Sequence, residues 1–92
     1  MARDPEIGYR ILGTIVSVKG KCNAGHFVGE EFEISCHNPA GLCGFFYYHI
    51  FPSLATFQFG GSMPWWGSDT IELSCPDKNN EVIIRLFRQK RS

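Results

Sequence analysis

Four cysteines and three histidines stand in a chain of 92 residues, and they are the side chains best suited to chemistry. Thiolate sulphur and imidazole nitrogen are the ligands of tetrahedral zinc sites, and thiolates also hold iron–sulphur clusters. The spacing is not that of a standard zinc motif, because the chain has no Cys-x-x-Cys pair and its tight groups are Cys22-x-x-x-His26 and Cys36-His37. Metal binding is therefore one hypothesis for this set.

A second hypothesis is thiol or redox chemistry at Cys22 or Cys75. His26 could take the proton of Cys22 as the base of a nucleophile–base pair, although no third group that would orient the imidazole can be identified. A reactive thiol also needs a lowered pKa. The alternative is that the cysteines are small buried apolar residues, since free cysteine is among the most buried residue types.

Composition narrows the class of protein. Hydrophobic residues make up 43% of the chain and aromatic residues 14%, which excludes wholesale disorder and predicts one domain over residues 1–92. Nine basic and nine acidic side chains give a net charge of zero, which argues against nucleic acid as a partner. The polar N-terminal residues and the lack of a long apolar run predict a cytoplasmic protein that does not enter a membrane and keeps its thiols reduced.

Hydrophobic periodicity predicts an α+β fold with the element order β-β-α-α-β-β. The strands are expected near residues 9–19, 30–34, 70–75 and 82–88, in a small antiparallel or mixed twisted sheet with one or two short helices on one face. The basic cluster Arg85, Arg88, Lys90 and Arg91 is interpreted as a solvated strand end. Residues 1–8 and 89–92 are predicted to be flexible.

The helical segment is predicted from an apolar stripe at i, i+3, i+4, i+7 and i+8. The stripe consists of Leu42, Phe45, Phe46, His49 and Ile50. Proline removes a helical hydrogen bond, so Pro52 is expected to end or kink this helix and to open a second one.

Strand order predicts where the thiols meet. If the first and last strands are antiparallel neighbours, the turn with Cys22 and His26 lies beside the turn that follows Cys75. Cys43 joins them only if the loop over residues 36–42 crosses back to the same end of the sheet. Asp77 would either orient His26 or accept N–H groups of its own turn, and the second role is favoured.

The loop that contains Pro64, Trp65 and Trp66 is the other unusual element. Two tryptophans in a glycine-rich loop can form a stacking platform or an interface anchor, or can close the small core as a hydrophobic flap. Together with the aromatic helix, this loop supports a third hypothesis, an interaction module that binds a protein partner or a second copy of itself.

A set of short motifs covers nearly the whole chain. It comprises Gly20-x-Cys22-x-x-Gly25-His26-x-x-Gly29-Glu30-x-Phe32, Pro39-x-Gly41-Leu42-Cys43, Ile50-x-Pro52, Gly60-Gly61-x-x-Pro64-Trp65 and Cys75-Pro76-Asp77-x-x-Asn80-x-Val82. By these motifs the chain resembles a small uncharacterised family of bacterial and archaeal proteins of about this length.

The function of that family is unknown, so the resemblance implies no activity. It implies that Cys22, His26, Cys43, Cys75 and Asp77 belong to the family pattern, whereas Cys36, His37 and Trp66 lie outside it. The leading hypothesis is therefore a zinc or iron–sulphur module. Its ligands would come from Cys22, His26, Cys43 and Cys75, and Asp77 would orient one of these ligands by a hydrogen bond.

Overall fold

The computed structural model describes residues 3–91 and shows a four-stranded sheet with one helix. The strands are β1 (Arg10–Val18), β2 (Glu31–Ile34), β3 (Thr70–Ser74) and β4 (Val82–Gln89), and the helix is α1 (Gly44–Gln58). The sheet order is β2-β1-β4-β3, and every neighbouring pair is antiparallel. The α+β class is thus confirmed, with the first and last strands as central neighbours and with β2 and β3 at the edges.

The core lies between the sheet and α1. Alternate residues of the two central strands point toward the helix and are buried, among them Ile11 and Ile15 in β1 and Ile84 and Leu86 in β4. β-branched and apolar side chains favour such half-covered strands. Gln89, where the flexible C-terminal tail is predicted to begin, is the last residue of β4.

The predicted element order has two helical segments, whereas residues 3–91 contain one helix, because α1 continues through Pro52. The proline is exposed on the outer side of the helix, where the carbonyl that loses its N–H partner can be hydrated. The helix ends instead at two glycines, as Gly60 adopts a φ of 87° and Gly61 N–H donates to the carbonyl of Thr56 at 2.8 Å. This is the Schellman arrangement that favours glycine.

The buried face of the helix matches the predicted apolar stripe only in part. Phe46, Ile50, Leu54 and Phe57 are buried against the sheet, whereas Phe45 and His49 are exposed. Leu42 is buried but precedes the helix. The periodicity could not identify the inner face, because α1 has apolar residues on both sides.

Buried Gln58 ties the N-terminal segment to the core. Its Nε2 donates to the carbonyl of Ile7 at 3.1 Å, its Oε1 accepts the N–H of Cys36 at 2.8 Å, and its carbonyl accepts the N–H of Tyr9 at 2.8 Å. Residues 7–9 are therefore held by direct hydrogen bonds, although flexibility was predicted for residues 1–8. Residues 1, 2 and 92 lie outside the described part of the chain.

Candidate functional site

Two loops meet at one end of the sheet, as strand order predicted. The carbonyl of Asn80 accepts the N–H of Lys19 at 3.1 Å, and its Oδ1 accepts the N–H of Lys21 at 3.0 Å. A side chain at Gly20 would clash with that amide oxygen, so glycine permits the close approach. These contacts fix the segment that leads to Cys22 beside the turn that follows Cys75.

His26 links the same loop to the start of α1. The ring is buried, its Nδ1 lies 2.8 Å from Glu30 Oε1, and its Nε2 lies 3.0 Å from the main-chain nitrogen of Cys43. A main-chain N–H can only donate, so Nε2 is unprotonated and accepts, and Nδ1–H donates to the carboxylate. Cys43 is thereby brought to this end of the sheet, which strand order alone had left open.

Cys22, Cys43 and Cys75 lie in the segments that meet at this junction. Cys75 belongs to the buried core, and Cys22 and Cys43 pack against that core. Burial raises the pKa of Cys75, a hydrogen bond with the main chain of Asp77 lowers it, and unfavourable charge interactions with Asp77, Cys43 and Cys22 raise it. A thiol with a raised pKa is mostly protonated at neutral pH and is a poor nucleophile, which disfavours Cys75 as the reactive cysteine. All four cysteines are free thiols.

The metal hypothesis can be tested against this donor set. Both ring nitrogens of His26 are engaged in hydrogen bonds, so the imidazole is a structural link in this arrangement and not a free ligand. Within residues 3–91, no three His, Cys, Asp or Glu side chains form a group that could hold a metal ion. As arranged, the described residues do not fit a zinc ion or an iron–sulphur cluster.

Asp77 organises its own turn. Its Oδ1 accepts the N–H of Asn79 at 3.0 Å, and its Oδ2 accepts the side-chain amide of Asn80 at 3.0 Å. These hydrogen bonds, that of Asn80 foremost, lower the pKa of the Asp77 carboxyl. The carboxylate that orients His26 belongs to Glu30 instead.

The remaining cysteine and histidines lie apart from this junction. Cys36 sits near Tyr47, and burial raises the pKa of both side chains. His37 and His49 are exposed. None of the three belongs to the segments that carry Cys22, His26 and Cys75.

The tryptophan loop is anchored by one of its two rings. Trp66 is half-buried and meets Phe57 edge to face, with the ring centroids 5.8 Å apart. Trp65 is 77% exposed. The loop therefore combines a ring that belongs to the core with a ring that faces outward.

Arg88 holds the same loop in place. The sequence predicts a solvated strand end for this residue, but in the structure it is buried. Its guanidinium is buried over the ring of Phe57, with Cζ 4.5 Å from the centroid. It donates to the carbonyls of Phe57, Gly61 and Ser68 at 2.9, 2.7 and 2.8 Å. The cation thus stabilises the C-terminal end of α1 and ties it to the loop.

A groove runs along β3 beside this loop. Its wider part has a volume of about 410 Å³ and lies among Met63, Trp65, Ile71 and Leu73. A second part of about 210 Å³ shares Ser53, Glu72 and Leu73 with the first and extends toward His49 and Ser74. The groove therefore follows the strand at the edge of the sheet and is lined by both apolar and polar side chains.

The main chain of β3 is open toward this edge. Cys75 N–H donates to the carbonyl of Val82, and Arg88 N–H donates to the carbonyl of Asp69, so the odd-numbered residues pair with β4. Because pairing alternates along an antiparallel strand, Thr70, Glu72 and Ser74 turn their amide and carbonyl groups outward. In the part of the chain that the structure describes, no other strand pairs with that side.

Comparison with known proteins identifies no relative of this chain. No family model matches the chain, and neither a curated protein nor a solved structure matches it. Among the described residues, no helix is long and apolar enough to cross a membrane.

Proposed function

We propose that this protein is an interaction module that binds an extended peptide segment, apolar at alternate positions, along the open edge of β3. The observation that carries the proposal is the unpaired edge of β3 beside a groove and an exposed tryptophan. A peptide that adds a strand to a sheet gains affinity from main-chain hydrogen bonds and specificity from pockets for alternate side chains. This is the third of the hypotheses drawn from the sequence, with the docking surface now centred on β3.

The residues that line the groove indicate which side chains a bound peptide would carry. The charged side chain in mid-strand, Glu72, forms an ion pair with Arg85 at 2.9 Å on the face of the sheet turned away from the core. Glu72 also lines the groove, beside the apolar residues Ile71, Leu73 and Met63. A bound strand would therefore place apolar or aromatic side chains at every second position, where they would contact the apolar residues and Trp65, and polar side chains at the positions between.

The groove is also pre-organised, which reduces the cost of binding. Arg88 holds the carbonyl of Ser68, and Trp66 packs on Phe57. A side chain at Gly67 would crowd the carbonyl of Thr70, with its Cβ 3.0 Å from that oxygen. Glycine at this position leaves the carbonyl at the edge of β3 accessible to a partner.

Glu72→Pro tests the proposal, because it removes one outward N–H donor without removing a hydrogen bond to β4. We expect peptides of about ten residues, selected from a random phage-displayed library against the natural protein, to bind Glu72→Pro at least tenfold more weakly, a loss of about 1.4 kcal/mol. Binding is measured by the fluorescence of the tryptophans and by titration calorimetry.

Glu72→Ala is the matched control, since it also loses the exposed ion pair with Arg85 but keeps the N–H. It should bind the selected peptides as the natural protein does, and circular dichroism should show that both variants are folded. Equal peptide affinity for Glu72→Pro and Glu72→Ala would refute strand addition at β3.

A further inference from the structure

The outer side of α1 carries an apolar surface that neither the core nor the β3 groove uses. Its members are Phe45, Tyr48, Pro52 and Phe59, here called the outer stripe. They lie at i, i+3, i+7 and i+14, opposite the buried residues Phe46, Ile50 and Leu54. Phe45 is 62% exposed and Tyr48 is 83% exposed. A row of exposed aromatic rings on one helix marks an interaction surface.

We propose that the outer stripe is the contact surface of a weak, two-fold symmetric dimer in which α1 packs antiparallel on α1 of a second copy. This inference does not depend on peptide binding at β3. It rests on the composition of the helix, on the area of the exposed rings and on a cleft beside Pro52.

Charge favours a second copy as the occupant. α1 contains no Asp, Glu, Lys or Arg, and the chain as a whole has a net charge of zero. Two copies can therefore approach without long-range repulsion and without burying an unpaired charge. A helix that lies on a membrane surface normally carries Lys or Arg on its polar face, and α1 has neither.

The basic residues near the stripe favour the antiparallel arrangement. Lys90 and Arg91 lie beside Phe59, at the C-terminal end of the stripe. A two-fold axis near Pro52 would place this end against the Phe45 end of the other copy. The like charges of the two copies would then stand at opposite ends of the interface.

The cleft beside Pro52 can receive a ring of the second copy. It has a volume of about 460 Å³ and is formed by Tyr47, Tyr48, His49, Phe51 and Pro52. In a two-fold interface the same contact is made twice, so Tyr48 of each copy would enter the cleft of the other.

The apolar area that the outer stripe can bury indicates how tightly the dimer would form. The exposed aromatic side chains of α1 and its C-terminal cap offer on the order of 500 Å² per chain, since each aromatic side chain can bury roughly 150–250 Å². A stable interface buries about 800 Å² per partner, so we expect a dissociation constant in the micromolar range.

Sedimentation velocity over a concentration series tests the dimer. The natural chain should change from monomer to dimer as its concentration rises through the micromolar range. Tyr48→Lys should weaken the dimer at least tenfold, because the lysine would bring an unpaired charge into the cleft of the other copy. Tyr48 is highly exposed, so this variant should fold, as circular dichroism would verify.

Phe27→Lys is the matched control, because Phe27 is 61% exposed on the loop between β1 and β2, outside the outer stripe. It should dimerise as the natural chain does. A monomer at every concentration, or a dimer unaffected by Tyr48→Lys, would overturn the inference. So would a dimer that Glu72→Pro abolishes and Tyr48→Lys leaves intact, since that dimer would form through the edge of β3.

Discussion

Replacing Arg88 with Met should lower the free energy of unfolding by about 3 kcal/mol or more, the largest loss expected from any single substitution considered for this protein. Methionine fills much of the same space but donates no hydrogen bond. The carbonyls of Phe57, Gly61 and Ser68 would each lose a charged donor in a region where water cannot fully replace it. Urea denaturation followed by tryptophan fluorescence measures the loss.

Two further substitutions isolate the cause. Arg88→Lys should recover little of the loss, because one ammonium cannot reproduce the planar fork that reaches three carbonyls. Arg85→Met removes an exposed arginine of the same strand, which pairs with Glu72, and should change the free energy of unfolding by less than about 1 kcal/mol. If Arg88→Met were no more destabilising than Arg85→Met, the role given to the buried guanidinium would be wrong.

His26→Ala should lower the free energy of unfolding by about 2 kcal/mol, the second largest effect expected. The substitution leaves the N–H of Cys43 without its acceptor and Glu30 without its donor, and it opens a void between the loop and α1. His37→Ala is the control, because that side chain is exposed and should tolerate the change. Thermal unfolding of the three proteins under reducing conditions gives the comparison.

The same pair of variants distinguishes a structural histidine from a metal ligand. If His26 serves only as a link, added zinc should not stabilise the natural protein more than it stabilises His26→Ala. A large zinc-dependent rise in the melting temperature of the natural protein that His26→Ala loses would contradict the structural role and would restore the metal hypothesis.

Much of this architecture was predictable from the sequence. The alternation in β4 and the β-branched residues of β1 identify strands, since only a strand places every second side chain on one face. The glycine and turn residues around Cys22 and Cys75 place both at strand ends. Antiparallel pairing of β1 with β4 then places the segments that carry the two cysteines at the same end of the sheet.

The buried face of α1 and the position of Cys43 depend on long-range contacts, which local sequence patterns do not encode. α1 is apolar on both sides, so periodicity could not separate buried Phe46 from exposed Phe45. The position of Cys43 depends on one hydrogen bond to His26, made between residues that are 17 apart in the chain. Tertiary packing determines such long-range contacts, and local secondary-structure propensity does not.

The prediction that Arg88 is solvated was wrong for a different reason. It occupies the inward face of β4 in register with Ile84 and Leu86, so its position in the pattern did indicate burial. Its charge suggested solvent, because arginine is rarely buried without partners. The partners are main-chain carbonyls at the end of α1, and the residue types in a sequence do not reveal them.

Amide hydrogen exchange of β3, followed by NMR with and without a selected peptide, tests the central claim most directly. In the free protein the outward N–H groups of Glu72 and Ser74 should exchange faster than those of Ile71 and Leu73, which pair with β4. Binding should slow the exchange at Glu72 and Ser74 and leave the inward pair little changed. A peptide that binds without protecting these two amides would contradict strand addition at the edge of β3.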